Sequence, residues 1–428
     1  MNGLATIRAL EAFPGDSDPH WLAAAKQAAR DRLDAWDPAG IEEEWRFVSA
    51  RPYLEAPTGT SPLPPPLRQT PPQALEKALI LDFEDGRWLE SLPNALPEGL
   101  RIRRLKQAIQ EDPEGLRDLI DLSDPDSSHA LTDLILLVAE DGLLIEVAKN
   151  TVLSQPIQLL YRRRREGHFS AVHHLLRLAE GAEATVIETH TGPDDLPYAA
   201  TSLTRIELAA GARLDHYKQQ NEGNGGRHFG GLYVNQAPRS VLRQTHLALG
   251  SQFARTEIHS LLEEGSECHL EGSFVALNRA VSDTHTRLRH RGRAAQSREH
   301  YRGLATAQGR GIFQGRIIVE PGAQKTEAFM HSKNLLLSDQ AEIDAKPQLE
   351  IHADDVRCAH GVSIGQIEPN QLFYLRSRGL DEAEALRVLT QGFVATVLAP
   401  VRLETLRAQM ESDLRRAVER AIDGRNTP

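Results

Sequence analysis

A chain of 428 residues exceeds the usual size of one compact core, so two or three structural units, or one repetitive architecture, are expected. The formal charge of −11 excludes a general nucleic-acid binder, which needs concentrated basic surface to meet phosphates. Two cysteines, Cys268 and Cys358, lie too far apart for a CxxC zinc site and are too few for a disulfide framework.

No apolar stretch approaches the ~20 residues that span a bilayer, and the opening MNGLATIRALEAFPGDSD lacks a continuous apolar signal core. A soluble, cytoplasmic protein is therefore expected. Residues 1–130 read as a mostly helical region, with one periodic stretch opening at Trp21-Leu22-Ala23-Ala24-Ala25 and another marked by Leu105, Ile109, Leu116, Leu119 and Ile120. Between them, eight prolines from Pro52 to Pro72 favour an extended connector or surface loop. The run Arg162-Arg163-Arg164-Arg165 reads as a solvated strand end or turn.

From Leu131 to Glu368 the texture is that of strands: short apolar or alternating runs, beginning with LTDLILLVAEDGLLIEVA, separated by small turn residues. The turns rhyme, with Gly181 and Gly211 thirty positions apart and Gly250 and Gly265 fifteen apart. An irregular repeat of this length predicts stacked coils, a β-helix or similar solenoid. In ECHLEGSF, alternation puts Cys268, Leu270 and Phe274 on one face and Glu267, His269 and Glu271 on the other, so Cys268 reads as a small core residue. Residues 369–428 return to helical signals. Pro369 opens a helix through NQLFYLRSRG, Gly379 stops it, Asp381 caps a second, and a third follows Pro400. Three short helices at the end of a solenoid suit a docking module that shields terminal strand edges.

The chemical signals are mostly negative. No Gly-Lys pair exists to end a phosphate-cradling loop. Gly361-Val362-Ser363-Ile364-Gly365 fits a nucleophile elbow, but no histidine follows His360, as that chemistry requires. Seventeen histidines, among them His246, His259, His269, His285, His290 and His300, show no metal-ligand spacing and read as solvated outward residues. Asp354-Asp355-Val356-Arg357-Cys358-Ala359-His360 is sharper. On an extended strand Cys358 and His360 share a face with Cα atoms roughly 7 Å apart, and thiolate with imidazole suits iron or iron-sulfur centres. Arg357 and a protonated His360 are expected to favour the thiolate. Two ligands cannot complete a cluster site, so any such site lies at an interface. Spacing alone favours an ordinary buried cysteine.

Residues 331–393 carry KPQLEI, ADDV, the Cys-x-His-Gly unit and LFYLRSRG, and this stretch closely resembles the SufD branch of the SufB/SufD family. The resemblance implies a mainly β protein, a right-handed parallel β-helix flanked by N-terminal and C-terminal helical regions. It implies a non-enzymatic scaffold subunit that assembles nascent iron-sulfur clusters with a SufB-type sister subunit and the SufC-type ABC ATPase. Cys358 and His360 fall on the family's Cys-x-His unit near the SufB interface, where a transient cluster or iron is expected, with none tightly bound to the isolated chain. Phe373, Tyr374, Leu375, Arg376 and Arg378 are expected to meet SufC, and the isolated chain could form a homodimer. The rivals are an exported polysaccharide-active β-helix enzyme and a metal-independent factor that supports SufB.

Overall fold

The computed structural model describes residues 18–36, 45–50, 73–89, 92–93, 95–120, 130–139 and 141–426. The proline-rich interval from Pro52 to Pro72 lies outside them. Along the chain come α1 (His20–Ala35), the hairpin of β1 (Leu79–Glu84) and β2 (Arg87–Trp88), β3 (Leu100–Arg104), α2 (Leu105–Glu111), α3 (Arg117–Ile120) and α4 (Ala130–Val138). A long succession of strands follows: β4 (Leu143–Val147), β5 (Ile157–Arg162), β6 (Phe169–Leu178), β7 (Glu183–Thr191), β8 (Tyr198–Leu208), β9 (Arg213–Asn221), β10 (Gly226–Gln236) and β11 (Val241–Ala248). It continues through β12 (Phe253–Leu262), β13 (Glu267–Ala276), β14 (Val281–His290), β15 (Gln296–Ala305), β16 (Arg310–Val319), β17 (Glu327–Leu336), β18 (Glu342–Ile351) and β19 (Arg357–Gly365). The helices α5 (Pro369–Ser377), α6 (Glu382–Ala395) and α7 (Glu404–Asp423) close the chain.

Odd-numbered strands from β5 to β19 stack in parallel in one sheet and even-numbered strands from β4 to β18 in the other, so the chain alternates between two walls of a parallel β-solenoid of about eight turns. The register explains the rhyming glycines. Glu183 pairs with Arg213, thirty residues on, so Gly181 and Gly211 mark the same corner of successive coils, both at positive φ (66° and 69°) that only glycine adopts freely. Gly250 and Gly265 mark opposite corners, half a coil apart.

Inward positions form columns along the stack. One reads Leu214, Leu242, Cys268, Ser297, Ala328 and Cys358 on successive coils. Cys268 is fully buried in the main core with Leu270 and Phe274, where the alternation of its strand predicts it.

The two ends of the solenoid differ. At the N-terminal end β1 turns through Asp85-Gly86, both at positive φ, into the antiparallel β2, and β3 runs antiparallel to β4. These strands and α4, which packs Leu131, Leu134 and Ile135 against Phe169, Ala171 and Leu203, cover the first coils. The region expected to be mostly helical therefore also holds strands. Conversely, the run at Leu131 expected as the first strand is α4, because a short apolar run does not reveal its period. At the C-terminal end, β18 and β19 each pair on one side only.

The three C-terminal helices form where expected. Pro369 is at the first helical turn of α5, Gly379 stops it at φ 100°, and Asp381 makes a reciprocal capping box with Glu384. Their placement corrects the sequence reading. Instead of shielding the terminal edges they lie along the flank, where Leu386, Val394, Leu406, Met410 and Leu414 join outward residues Tyr217, Leu247, Val275 and Leu304 in a second core. Thr306 Oγ1 donates to the Ala421 carbonyl at 3.0 Å, and the Tyr217 hydroxyl accepts from the Arg402 amide at 3.2 Å.

The tetra-arginine run is also not solvated. Arg162 donates to both Asp82 carboxylate oxygens at 3.0 and 2.5 Å, Arg164 reaches Glu84 at 3.1 Å, and Arg163 is buried 3.9 Å from Glu222. Nor are the expected solvated histidines all outward. His246 and His290 are buried inside the solenoid, and His290 Nε2 lies 2.9 Å from the Ser297 hydroxyl. Burial pushes His290 down to about 4, so it sits neutral in the core.

The interior also holds Glu299, fully enclosed in the column that ends at His360. Burial pushes its carboxyl up to about 8, against the opposing effect of the nearby Thr286 hydroxyl. A carboxyl raised in the folded state stabilises fully below its unfolded value, ordinarily near 4.5, and loses that contribution as pH rises through about 8. Each pH unit in that window costs about 1.4 kcal/mol from this group. Urea unfolding of Glu299→Gln is expected to match the parent at about pH 4.5 and to exceed it increasingly towards pH 8. A parallel offset at every pH would show that Glu299 is ionised in the fold.

Candidate functional site

Cys358 and His360 stand on β19, the last strand of the first sheet, in line with Ala328 and Met330 of the preceding coil. Both occupy inward parity, and on any earlier coil such positions are enclosed. Here no later coil covers them. Cys358 is half-buried against the main core and His360 is exposed. The strands β18 and β19 are accordingly intermediate or exposed along nearly their whole length, whereas β15 and β16 are mostly buried. The pair therefore lies at the mouth of the solenoid, beside two sheet edges.

The electrostatics differ from the sequence expectation in one respect. Arg357 has the opposite parity and pairs with Glu327 of the preceding coil, so it does not support the thiolate. Burial pushes the Cys358 thiol up, with a backbone hydrogen bond at Ala328 opposing it. At neutral pH the group is a thiol that becomes a strong ligand on deprotonation by, or exchange onto, a metal. Among the described residues no three His, Cys, Asp or Glu side chains converge to hold a metal ion. What this chain presents is a thiol and an imidazole on one strand, groups of a type suited to iron.

The second expected surface follows directly along the chain. Helix α5 has no buried residue. Leu372 and Leu375 are half-buried and seat the helix, while Phe373 and Tyr374 are 74% and 57% exposed. Arg378 lies over the Tyr374 ring at 5.3 Å, and Arg376 lies 3.5 Å from Glu382. Adjacent exposed aromatics on a helix held only by its edges are a surface suited to a partner.

The sequence reading missed a polar interior in the middle coils. Glu188 accepts from Thr204 at 2.6 Å and lies 3.4 Å from His190, 3.2 Å from His216 and 3.9 Å from Lys218. Burial alone would raise its carboxyl, but the two histidine hydrogen bonds and Lys218 hold it well below the usual range. Glu222, 2.8 Å from His228, is likewise pulled down to about 2 against the opposing effect of burial, by His228, His190 and Arg163. The signal available in the sequence was the polar inward parity of DHYKQQ in β9, which breaks the apolar column.

The two cysteines give a direct test of the end geometry. Burial pushes Cys268 up beyond the range in which it reacts, while Cys358 is half open. Iodoacetamide labelling of the native protein is expected to modify Cys358 alone, at a rate that climbs as pH is raised above 8. Equal labelling of Cys268 would show that the coils open, and no labelling of Cys358 would show that the last coil is covered.

Comparison with known proteins agrees with this architecture. The family described as SUF system FeS cluster assembly, SufBD core domain, matches residues 161–393, and the SufBD protein N-terminal region matches residues 74–159. The chain is 32% identical over 352 residues to the iron-sulfur cluster assembly protein SufD of Escherichia coli, covering 80% of this chain and 81% of that one. It is 25% identical over 419 residues to an iron-sulfur cluster assembly SufBD family protein of Synechocystis, covering 94% and 92%, and 26% identical over 303 residues to SufD of Bacillus subtilis, covering 68% and 67%. No described helix is long and apolar enough to cross a membrane. With a parallel solenoid, flanking helices and the Cys-x-His pair on its last strand, the chain belongs to the SufBD family of iron-sulfur cluster assembly proteins and is SufD-like within it.

Proposed function

We propose that this protein is a scaffold subunit without turnover of its own, which joins a SufB-type sister subunit and a SufC-type ABC ATPase to hold a nascent iron-sulfur cluster, or its iron, between chains. One observation carries the reading: the last coil places Cys358 and His360 at inward parity but leaves them uncovered beside the two sheet edges. Unpaired edge strands invite strand addition, and a sister solenoid docking there would bring further ligands to the pair. His360 is then an iron ligand, and Cys358 a ligand or a thiol that handles sulfur. Iron and sulfide are cargo here, passed on after assembly.

The ATPase surface is assigned to Phe373, Tyr374, Leu375, Arg376 and Arg378, with the two exposed aromatics as anchors. Deleting residues 369–428 would be a poor test, because it also strips the cover from Leu247, Val275 and Leu304. Replacing Phe373 and Tyr374 together by serine leaves both cores intact. Affinity for the ATPase is expected to fall tenfold or more with melting temperature nearly unchanged, and undiminished affinity would place the surface elsewhere.

A specific observation favours one alternative, a metal-independent subunit that only supports its sister: the raised thiol of Cys358 is a poor ligand until deprotonated. The double variant Cys358→Ala/His360→Ala decides between them. Under anaerobic reconstitution with both partners, the scaffold reading expects partner binding near the parent level and iron and sulfide yield reduced severalfold or more. Full yield from the assembled variant complex would remove the pair from cluster assembly and leave the supporting role.

A further inference from the structure

The middle coils enclose more polar chemistry than their own hydrogen bonds satisfy. Arg163, at the end of β5, is 3% exposed, and its one charged neighbour at this site, Glu222, is 3.9 Å away and already engaged by His228 at 2.8 Å and Gln220 at 3.1 Å. His190 stacks on Tyr161 at 4.2 Å and meets His228 edge-on at 4.6 Å. His190 and His216 both address Glu188 through Nε2. Among the described residues, the atoms of this connected group without a hydrogen-bond partner include the three guanidinium nitrogens of Arg163, the Tyr161 hydroxyl, Nδ1 of His190 and of His216, Nε2 of His228, and Oε1 of Gln220 and of Glu222.

The walls are shaped around these groups. A Cβ on Gly230 would fall 2.0 Å from Lys218 Nζ, and one on Gly192 would fall 2.0 Å from the Tyr198 hydroxyl. Missing side chains at these two points are what let a lysine and a tyrosine enter the lumen.

We infer that this part of the lumen is a hydration chamber, a built site for about three ordered water molecules held among Arg163, Tyr161, His190, His216, His228 and Gln220. Buried polar atoms are almost always hydrogen-bonded, and orphaned ones in a native fold mark bound solvent or ligand. The class of occupant follows from charge. Glu188 and Glu222 balance Lys218 and Arg163, so an anion or a cation would enter with no opposite charge left to compensate it, and a neutral guest is favoured. It must both accept, from the guanidinium and the phenol, and donate, to Gln220. Water does both and is the smallest molecule that can. The chamber completes the hydrogen bonding of Arg163 and lets the ionised cluster persist inside the solenoid. It includes Arg163, where the chain leaves the wall after β5.

A crystal structure of the full chain at a resolution that shows solvent, with a second crystal soaked in bromide, tests the assignment. Ordered solvent is expected within hydrogen-bond distance of the Arg163 guanidinium and of His228 Nε2, with no bromide in the chamber. Tyr161→Phe removes a single donor and is expected to lose only the water on that hydroxyl, and Arg163→Met to lose the cluster of waters or fail to fold. A bromide peak in the chamber would overturn the neutral occupant. Side chains re-paired with one another around a dry space would overturn the site itself, and so would a Tyr161→Phe lumen with solvent unchanged from the parent.

Discussion

Every strand of a stacked solenoid takes its backbone partners from the coil before and the coil after, and the last coil has no coil after. That constraint organises the molecule. It turns Cys268 and Cys358, which share one inward column, into different residues: one sealed in the core, the other half open at the mouth. The N-terminal end carries a hairpin and an antiparallel strand beyond its first coil, and the C-terminal end carries no further strand after β19. Nature covers a sheet edge or uses it, and here the uncovered edge coincides with the pair of residues whose chemistry suits iron.

The C-terminal helices fit the same logic. By lying along the flank they bury the outward faces of several coils and leave the mouth free. Two surfaces result, a strand edge with Cys358 and His360 and a helix with Phe373 and Tyr374, separated by the short segment from Gly365 to Pro369. On the proposed function, a scaffold that binds two partners together needs two such surfaces that do not compete.

What the sequence disclosed was local. Alternation in ECHLEGSF placed Cys268, and Pro369, Gly379 and Asp381 bounded the last helices, because caps and strand parity act within a few residues. What it hid was long-range. Arg162 is neutralised by Asp82, eighty positions earlier, so the arginine run read as a solvated strand end or turn. The polar cluster of Glu188, His216 and Lys218 went unread, since a polar residue at inward parity can be read only once the coils are stacked. The side on which α7 lies depends on contacts such as Thr306 with Ala421, and Arg357 was misassigned because its partner Glu327 comes from the neighbouring coil.

The central claim is that the last coil is an unfinished rung which a partner completes. Backbone hydrogen exchange followed by mass spectrometry, on the isolated chain and on its complex with the sister subunit, addresses it directly. Residues 342–365 are expected to exchange far faster than residues 296–319 in the isolated chain and to become protected on complex formation. Equal protection of both stretches in the isolated chain, or no change at 342–365 when the partner binds, would contradict the account.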